Sequence, residues 1–465
     1  MILSLLRLET AMLRRDRRAW WSLLALAIVV VLSCISIAVD SARVDATKQK
    51  VAAAERQRWL GQGEKDPHSA AHYSIFAFKP APALSALDPG GNPFLGQTVW
   101  LEAHHQNDML YRPQQNASPL QRIGFASPVA LIAGVAPLIV FLLAFTLVAQ
   151  ERERGTTRLA LGAAIHPSTI VISKTLAVWV STTALLIVPV AAITLGGLAL
   201  FGNLSSDTLA RILAWCATVA AYIALLAAIG VTISLRARNA RLAMTILFGL
   251  WIAFSLALPR AASTLVDTAS PLPSSQSIHQ QMASEAPAFW SDEQAQRNKQ
   301  ALLARYGVSR LEDIPNPRMA ELDFMERHSH AAFDRVLKPF YDRVERQDRW
   351  FALLGFLSPT IAIQAGSPAL AGTDFSHHRH FIDTAERYRR DLVNRMNADG
   401  MAHSAHGTER HVNDERLWSQ IPEFAYAAPR IGTASMPAWP AFVALLAWLA
   451  IAGSSLTVTA RGLHP

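Results

Sequence analysis

The sequence predicts an α-helical membrane protein, with six transmembrane helices and a mainly helical α+β domain outside the membrane, built from two separated insertions. Three observations predict it. Six apolar stretches of about 20 residues or more can each cross a ~30 Å hydrocarbon core as a helix whose backbone polar groups are satisfied internally. Arg and Lys gather in the short segments on one side of those stretches, the side that retains positive charge. Two long loops, residues 40–127 and 261–436, make up more than half of the 465 residues and are close to charge-balanced.

Residues 1–19 form a basic lead. Ile2, Leu5, Leu6 and Leu13 fall on one helical face and Arg7, Arg14 and Arg18 on another, which suits an elbow helix lying in the membrane interface. The first span, Trp20–Val39, exceeds the roughly 7–15 apolar residues of a signal peptide and is read as a permanent anchor. The first insertion (40–127) begins with a helical continuation of that span, Asp40–Leu60. Tyr73–Phe78 and Thr98–Leu101 then read as short strands, separated by turns such as Leu87-Asp-Pro-Gly-Gly91.

Pro128–Ala149 is the second span, and residues 150–169 form a charged connector. The third, Ile170–Leu200, is longer than a crossing requires and contains Pro189. A loop without Lys or Arg, Phe201–Ala210, leads to the fourth, Arg211–Leu235, and the fifth occupies residues 242–260. In the second insertion (261–436) Phe333, Val336, Leu337, Phe340, Tyr341 and Val344 recur at helical spacing, with Pro339 expected to kink or break the helix. Ser376–Met396 reads as a further helix. Trp350–Ile363 is apolar but short, with Pro359 inside, and is placed at the membrane surface. The sixth span covers 437–460, and 461–465 is a tail.

Orientation follows from Arg7, Arg14, Arg15, Arg17 and Arg18 before the first span, Arg152, Arg154, Arg158 and Lys174 between the second and third, and Arg236, Arg238 and Arg241 between the fourth and fifth. Both termini are therefore expected in the cytoplasm and both insertions outside it. Asp40–Phe125 and Ser263–Met436 hold 28 basic and 30 acidic residues, which leaves 15 basic against 5 acidic for the spans and their inner faces. The net charge of +8 is thus a topology signal, and no nucleic-acid partner is expected. The two cysteines, Cys34 and Cys216, lie inside spans, so the insertions must fold without disulfides. A bacterial inner membrane with a periplasmic domain fits this pattern.

The chemistry is sparse. The spans carry essentially no ionisable residue away from their ends, which disfavours ion-coupled transport. No G-x-x-x-x-G-K-[ST] phosphate loop exists, so the chain cannot bind ATP by that route, any ATP-driven energy would come from a partner, and no cofactor is expected in this chain. Thirteen of fifteen histidines lie in the insertions, with clusters at His104-His105, His328-Ser-His330, His377-His378-Arg-His380 and His403 to His411. Imidazoles suit copper or zinc, and His377 and His380 can share a helical face. With no H-E-x-x-H and no Cys-His pattern, the expectation is surface histidines and no dedicated metal site. Trp20, Trp21, Trp439 and Trp448 read as interface anchors.

The connector after the second span carries the strongest signal, Glu151-Arg152-Glu153-Arg154-Gly155-Thr156-Thr157. Two carboxylates can pair with Arg or Lys of a partner, Gly155 permits a sharp turn, and Thr156 or Thr157 can cap the helix that follows. This turn resembles the E-x-E-x-G-T motif of ABC-2-type permeases. The resemblance implies docking of this segment into a cleft of an ATPase subunit. Phe78-Lys-Pro-Ala-Pro82, Ala86-Leu-Asp-Pro-Gly90, Val99-Trp-Leu-Glu-Ala-His104, Leu357-Ser-Pro-Thr360 and Leu370-Ala-Gly-Thr-Asp374 are similar to a subgroup with two large periplasmic insertions, near the permeases of multicopper-enzyme and nitrous-oxide-reductase maturation systems. Nearly the whole chain is covered.

The resemblance implies the permease subunit of an ATP-driven exporter, itself not an enzyme. Two ABC ATPase subunits would bind ATP and Mg, and the second permease chain would be an identical copy or a similar paralogue. The alternative is a mechanotransmission complex that drives its periplasmic domain against a partner and moves nothing through itself. A membrane-bound metal hydrolase is a third reading, without a nucleophile or metal signature to support it.

Overall fold

The computed structural model describes residues 1–116, 127–153, 166–200, 204–285, 292–403, 411–434 and 436–462. It is mostly helical, and its helices follow the apolar pattern of the sequence. Among the described residues, five helices are long and apolar enough to cross a membrane, six if one bent pair is a single span. We use "basic end" for the end of the bundle that carries the lead helix and "domain end" for the other.

The lead helix, Ile2–Arg15, buries Glu9 and Leu13. It ends at Asp16, whose carboxylate accepts hydrogen bonds from the Arg18 and Ala19 amides and so caps the next helix. That helix, Arg17–Leu60, runs for 44 residues without a break, about 66 Å at 1.5 Å per residue. Leu23, Leu26, Ala27, Val30 and Cys34 face the bundle, while Trp21, Ile28, Val29 and Leu32 point outward. Its far end delivers Trp59, completely buried, into the core of the extramembrane domain.

Prolines lie near the irregularities of the second, third and fifth spans. Pro128–Gly134 and Ala136–Glu153 meet at a bend of 46°. Pro167–Leu186 gives way to Val188–Leu200 at Ile187, just before Pro189, which has no N–H to donate and crowds the carbonyl four residues back. Ala240–Ala269 contains a π-helical stretch, Ile252–Ala257, just upstream of Pro259. The fourth span, Ser206–Arg236, is the most buried of the long apolar helices and packs on the second, third and sixth (Trp439–Arg461). Gly230 permits its crossing with the second, because a Cβ there would lie 2.7 Å from the Ala144 Cβ.

The domain joins both insertions. Strands β1 (Ile75–Phe78) and β2 (Thr98–Leu101) pair antiparallel, Ile75 opposite Leu101. Pro317–Leu353 and Phe375–His403 are its long helices and pack together. The first runs on past Pro339, against the expected break. Phe333 and Leu337, both buried, anchor the turns just before the proline, and packing along 37 residues outweighs a local penalty of about 3 kcal/mol. The apolar segment expected at the membrane surface is interrupted after Phe356, and Pro359–Ala371 forms a 13-residue helix, too short to cross a bilayer. It is seated between the fourth and sixth spans.

Candidate functional site

Two polar sites punctuate this apolar bundle, one at each end. At the basic end the Lys174 ammonium donates to Glu9 Oε2 at 2.9 Å, to Glu151 Oε2 at 2.7 Å and to the Leu147 carbonyl at 3.0 Å. All three side chains are mostly shielded, Lys174 to 4% exposure. The lead helix, the last turn of the second span and the start of the third are thereby tied to one cation. Burial pushes the Glu9 carboxyl above its ordinary range; Lys174 pulls it back and the Glu151 charge adds to the rise.

Of the residues singled out after the second span, Glu151, Arg152 and Glu153 form the end of the helix Ala136–Glu153. Arg154, Gly155, Thr156 and Thr157 lie outside the described residues. Glu151, expected to face a partner, meets the chain's own Lys174. In the sequence Lys174 registers only as an orientation charge and Glu9 carries no mark of its role. The available signal was a lysine one turn inside an apolar run, shortly after two glutamates.

At the domain end, the fourth span presents Arg211, Trp215 and Tyr222 to the motifs on which the narrower resemblance rested. Arg211 donates to Asp207 at 2.8 Å, to the Leu370 carbonyl at 3.1 Å and to the Pro429 carbonyl at 2.8 Å. Trp215 Nε1 donates to Ser367 Oγ at 2.8 Å, and Ser367 donates to Asp88 Oδ2 at 2.5 Å. Asp88 also accepts from the Gly90 amide, which fixes the Leu87-to-Gly91 turn. Gly90 has φ +49°, and a Cβ there would lie 2.5 Å from Thr373 Oγ1. Tyr222 bonds Thr360 Oγ1 at 3.0 Å and the Ala133 carbonyl at 3.1 Å, at the bend of the second span. The Leu-Asp-Pro-Gly, Leu-Ser-Pro-Thr and Leu-Ala-Gly-Thr-Asp motifs thus meet at one junction of membrane bundle and domain.

Two cavities flank the helix Arg17–Leu60, from the outer half of the first span into the domain. One, of about 870 Å³, has Ala38, Ile193, Phe76, Tyr388 and Phe424 among its lining residues; the other, of about 680 Å³, has Val29, Asp40, Lys79 and several prolines. Both include Asp45 and Lys48. Lys79 is buried, bonded to Asn92 Oδ1 at 2.7 Å and 3.3 Å from His378 Nδ1. Burial and the Lys48 charge push its ammonium down to about 7, and burial with the Lys79 charge pushes His378 down to about 3.

The histidines are not all on the surface. His68, His330, His377 and His378 are buried. His377 is paired with Asp374, whereas His380 lies 3.2 Å from the Tyr426 hydroxyl, so the two do not converge. Two groups that could hold a metal stand out, His68 with His72 and His104, and Asp399 with His403 and His411.

Several long apolar helices, a basic end and a large extramembrane domain define a multi-pass membrane protein. Residues 3–453 match the family of ABC-2 family transporter proteins, and the chain belongs to that family. No curated protein and no solved structure matches it. Membership makes it the membrane component of an ABC transporter, which works with an ATPase partner and is not itself the catalyst.

Proposed function

We propose that this chain is the permease subunit of an ATP-driven ABC-2-type exporter in a bacterial inner membrane, with both termini cytoplasmic and the domain in the periplasm. Two copies, or one copy and a similar paralogue, would assemble with two ATPase subunits that bind ATP and Mg. The two insertions, together with the motifs they carry, support a reading within the subgroup near the multicopper-enzyme and nitrous-oxide-reductase maturation permeases.

The observation that carries this reading is the Glu9–Lys174–Glu151 cluster. Glu151 and Lys174 flank residues 154–165 in the sequence, so a force on that connector would reach the second span through Glu151 and the third through Lys174. Glu9 adds the lead helix. A buried contact of one ammonium with two carboxylates resists separation, because parting the ions leaves uncompensated charge in an apolar setting. The three helices would therefore move as one body when the ATPases close.

Mechanotransmission is the second reading, and the unbroken helix Arg17–Leu60 favours it, since this element carries motion from the basic end into the domain core. The cavities beside that helix favour export, as they offer cargo a place between the span and the domain. Cargo-stimulated ATPase activity in reconstituted vesicles supports export, whereas turnover indifferent to any cargo supports mechanotransmission.

The coupling assignment is tested by Glu153→Lys, which replaces none of Glu9, Glu151 and Lys174. Loss of a charged contact with the ATPase would cost roughly 2–5 kcal/mol, so the ATPase should no longer co-purify. Unchanged co-purification and unchanged coupled turnover would remove the coupling role from this turn.

A further inference from the structure

We propose that the extramembrane domain holds a divalent transition-metal ion, zinc or copper, on His68, His72 and His104. The inference does not rest on the transport reading.

Helical spacing brings His68 and His72 together, and the fold adds His104 from beyond β2. His68 lies in the short helix Pro67–Ala71, His72 is its C-cap, and His104 follows β2. The one ligating nitrogen that each offers lies within 4.8 Å of the other two. His68 Nε2 and His72 Nε2 are 3.2 Å apart. Two nitrogens bound at about 2.0–2.1 Å in a tetrahedral site are separated by about 3.3 Å, so this pair already stands at ligand spacing.

The outer nitrogens are oriented as metal-binding imidazoles require. His68 Nδ1–H donates to Asn397 Oδ1 at 2.9 Å, which fixes the tautomer and leaves Nε2 as a lone pair directed at His72. His104 Nδ1 stands 2.8 Å from Glu326 Oε1. With Nδ1 facing the carboxylate, Nε2 is the nitrogen with which His104 would ligate. An amide oxygen and a carboxylate on the far side of ligating histidines hold ring orientation and raise ligand basicity. Glu326 is 1% exposed, a depth at which a carboxylate needs charge or hydrogen bonds around it. A metal-polarised His104 would supply both.

Three imidazoles select zinc, copper and their neighbours over calcium or magnesium, which favour oxygen. His72 is exposed while His68 is buried, so an ion can enter from solvent past His72 and meet a fourth ligand there. The ligands belong to the first insertion and their supports, Glu326 and Asn397, to the second. A bound ion would cross-link a domain that has no disulfide.

The test uses the full-length protein in detergent, stripped with a chelator and re-equilibrated with Zn²⁺ or, as a spectroscopic probe, Co²⁺. One ion per chain and the visible absorption of tetrahedral Co²⁺ are expected. His72→Ala, on an exposed side chain, should weaken binding by more than Glu326→Gln, for which about 10- to 100-fold is expected. His403→Ala, in the second candidate group, should leave stoichiometry and spectrum unchanged. Absence of both stoichiometric metal and the Co²⁺ spectrum in the wild type would overturn the proposal without any variant. Binding lost in His403→Ala but kept in His72→Ala would overturn it as well.

Discussion

Lys174 is one cation set against two carboxylates, and its removal leaves Glu9 and Glu151 together in a shielded pocket. Breaking such a buried group from one side costs about 3–5 kcal/mol. Lys174→Met should therefore lower the thermal unfolding temperature in detergent sharply, and Glu9→Gln in the same chain should restore part of it. Equal stability of wild type and Lys174→Met would mean that the cluster contributes nothing. Asp88 gives a pH signature. Burial raises its carboxyl from 3.8 to about 6, against the hydrogen bonds from Ser367 and Gly90. The protonated form is favoured in the folded state, so this contribution is full below pH 3.8 and lost as pH rises through about 6. Two pH units correspond to at most about 3 kcal/mol. Unfolding followed between pH 4 and 7 should show stability falling across that window, with a flatter profile in Asp88→Asn. Glu151 was legible from the sequence because charge beside a span is conspicuous. Its partner was not, since a pairing across 23 residues appears only once the second and third spans lie side by side. His68 and His72 were legible in principle as an i, i+4 pair, but His104, the third member, is remote in sequence.

Helices and their interruptions were the most readable elements. Pro189 stands just after a one-residue irregularity in the third span, whereas Pro339 stands inside a helix that continues unaltered. The difference is in the neighbours, for packing on Phe375–His403 supports one and sequence alone does not report it. Both strands were found from their aromatic and β-branched residues, and their pairing places Phe76 opposite Trp100, ring centroids 4.3 Å apart. Close helix crossings were invisible, because a glycine in an apolar run carries no mark of what approaches it. Gly230→Leu should force the second and fourth spans apart and destabilise by about 1–3 kcal/mol, whereas Gly249→Ala, with nothing within 4 Å of its Cβ position, should not. Thermal unfolding of the two variants side by side decides it, and indifference to the leucine would mean that the crossing is loose.

For the whole molecule, the sequence led to a membrane bundle with a split domain through hydropathy and charge, properties that survive without tertiary information. Sidedness is a consequence of the same charges and makes a direct prediction. With the native cysteines, both within spans, replaced, cysteines introduced at Ser309 and Ser419, both exposed, should react with an impermeant thiol reagent in intact spheroplasts. Labelling at Ser309 alone would put a crossing between them, and labelling at neither would reverse the orientation. The junction of motifs around Arg211, Trp215 and Tyr222 escaped the sequence reading because its members are drawn from residues 88 to 429.

The burial of Trp59 against Trp418 also bears on how the protein is made. The indole Nε1 of Trp59 donates to the Trp418 carbonyl at 2.9 Å, and the Trp418 indole donates back to the Gly63 carbonyl at 3.1 Å. Trp59 leaves the ribosome about 360 residues before its partner, a delay of roughly 20–70 s at 5–20 residues per second. Throughout that interval the first insertion has no core to join, and four further apolar segments must enter the bilayer before the domain can close. The nascent chain thus carries an exposed tryptophan through most of its synthesis, and a chain terminated after Phe375–His403 should be degraded although most of its spans are in place.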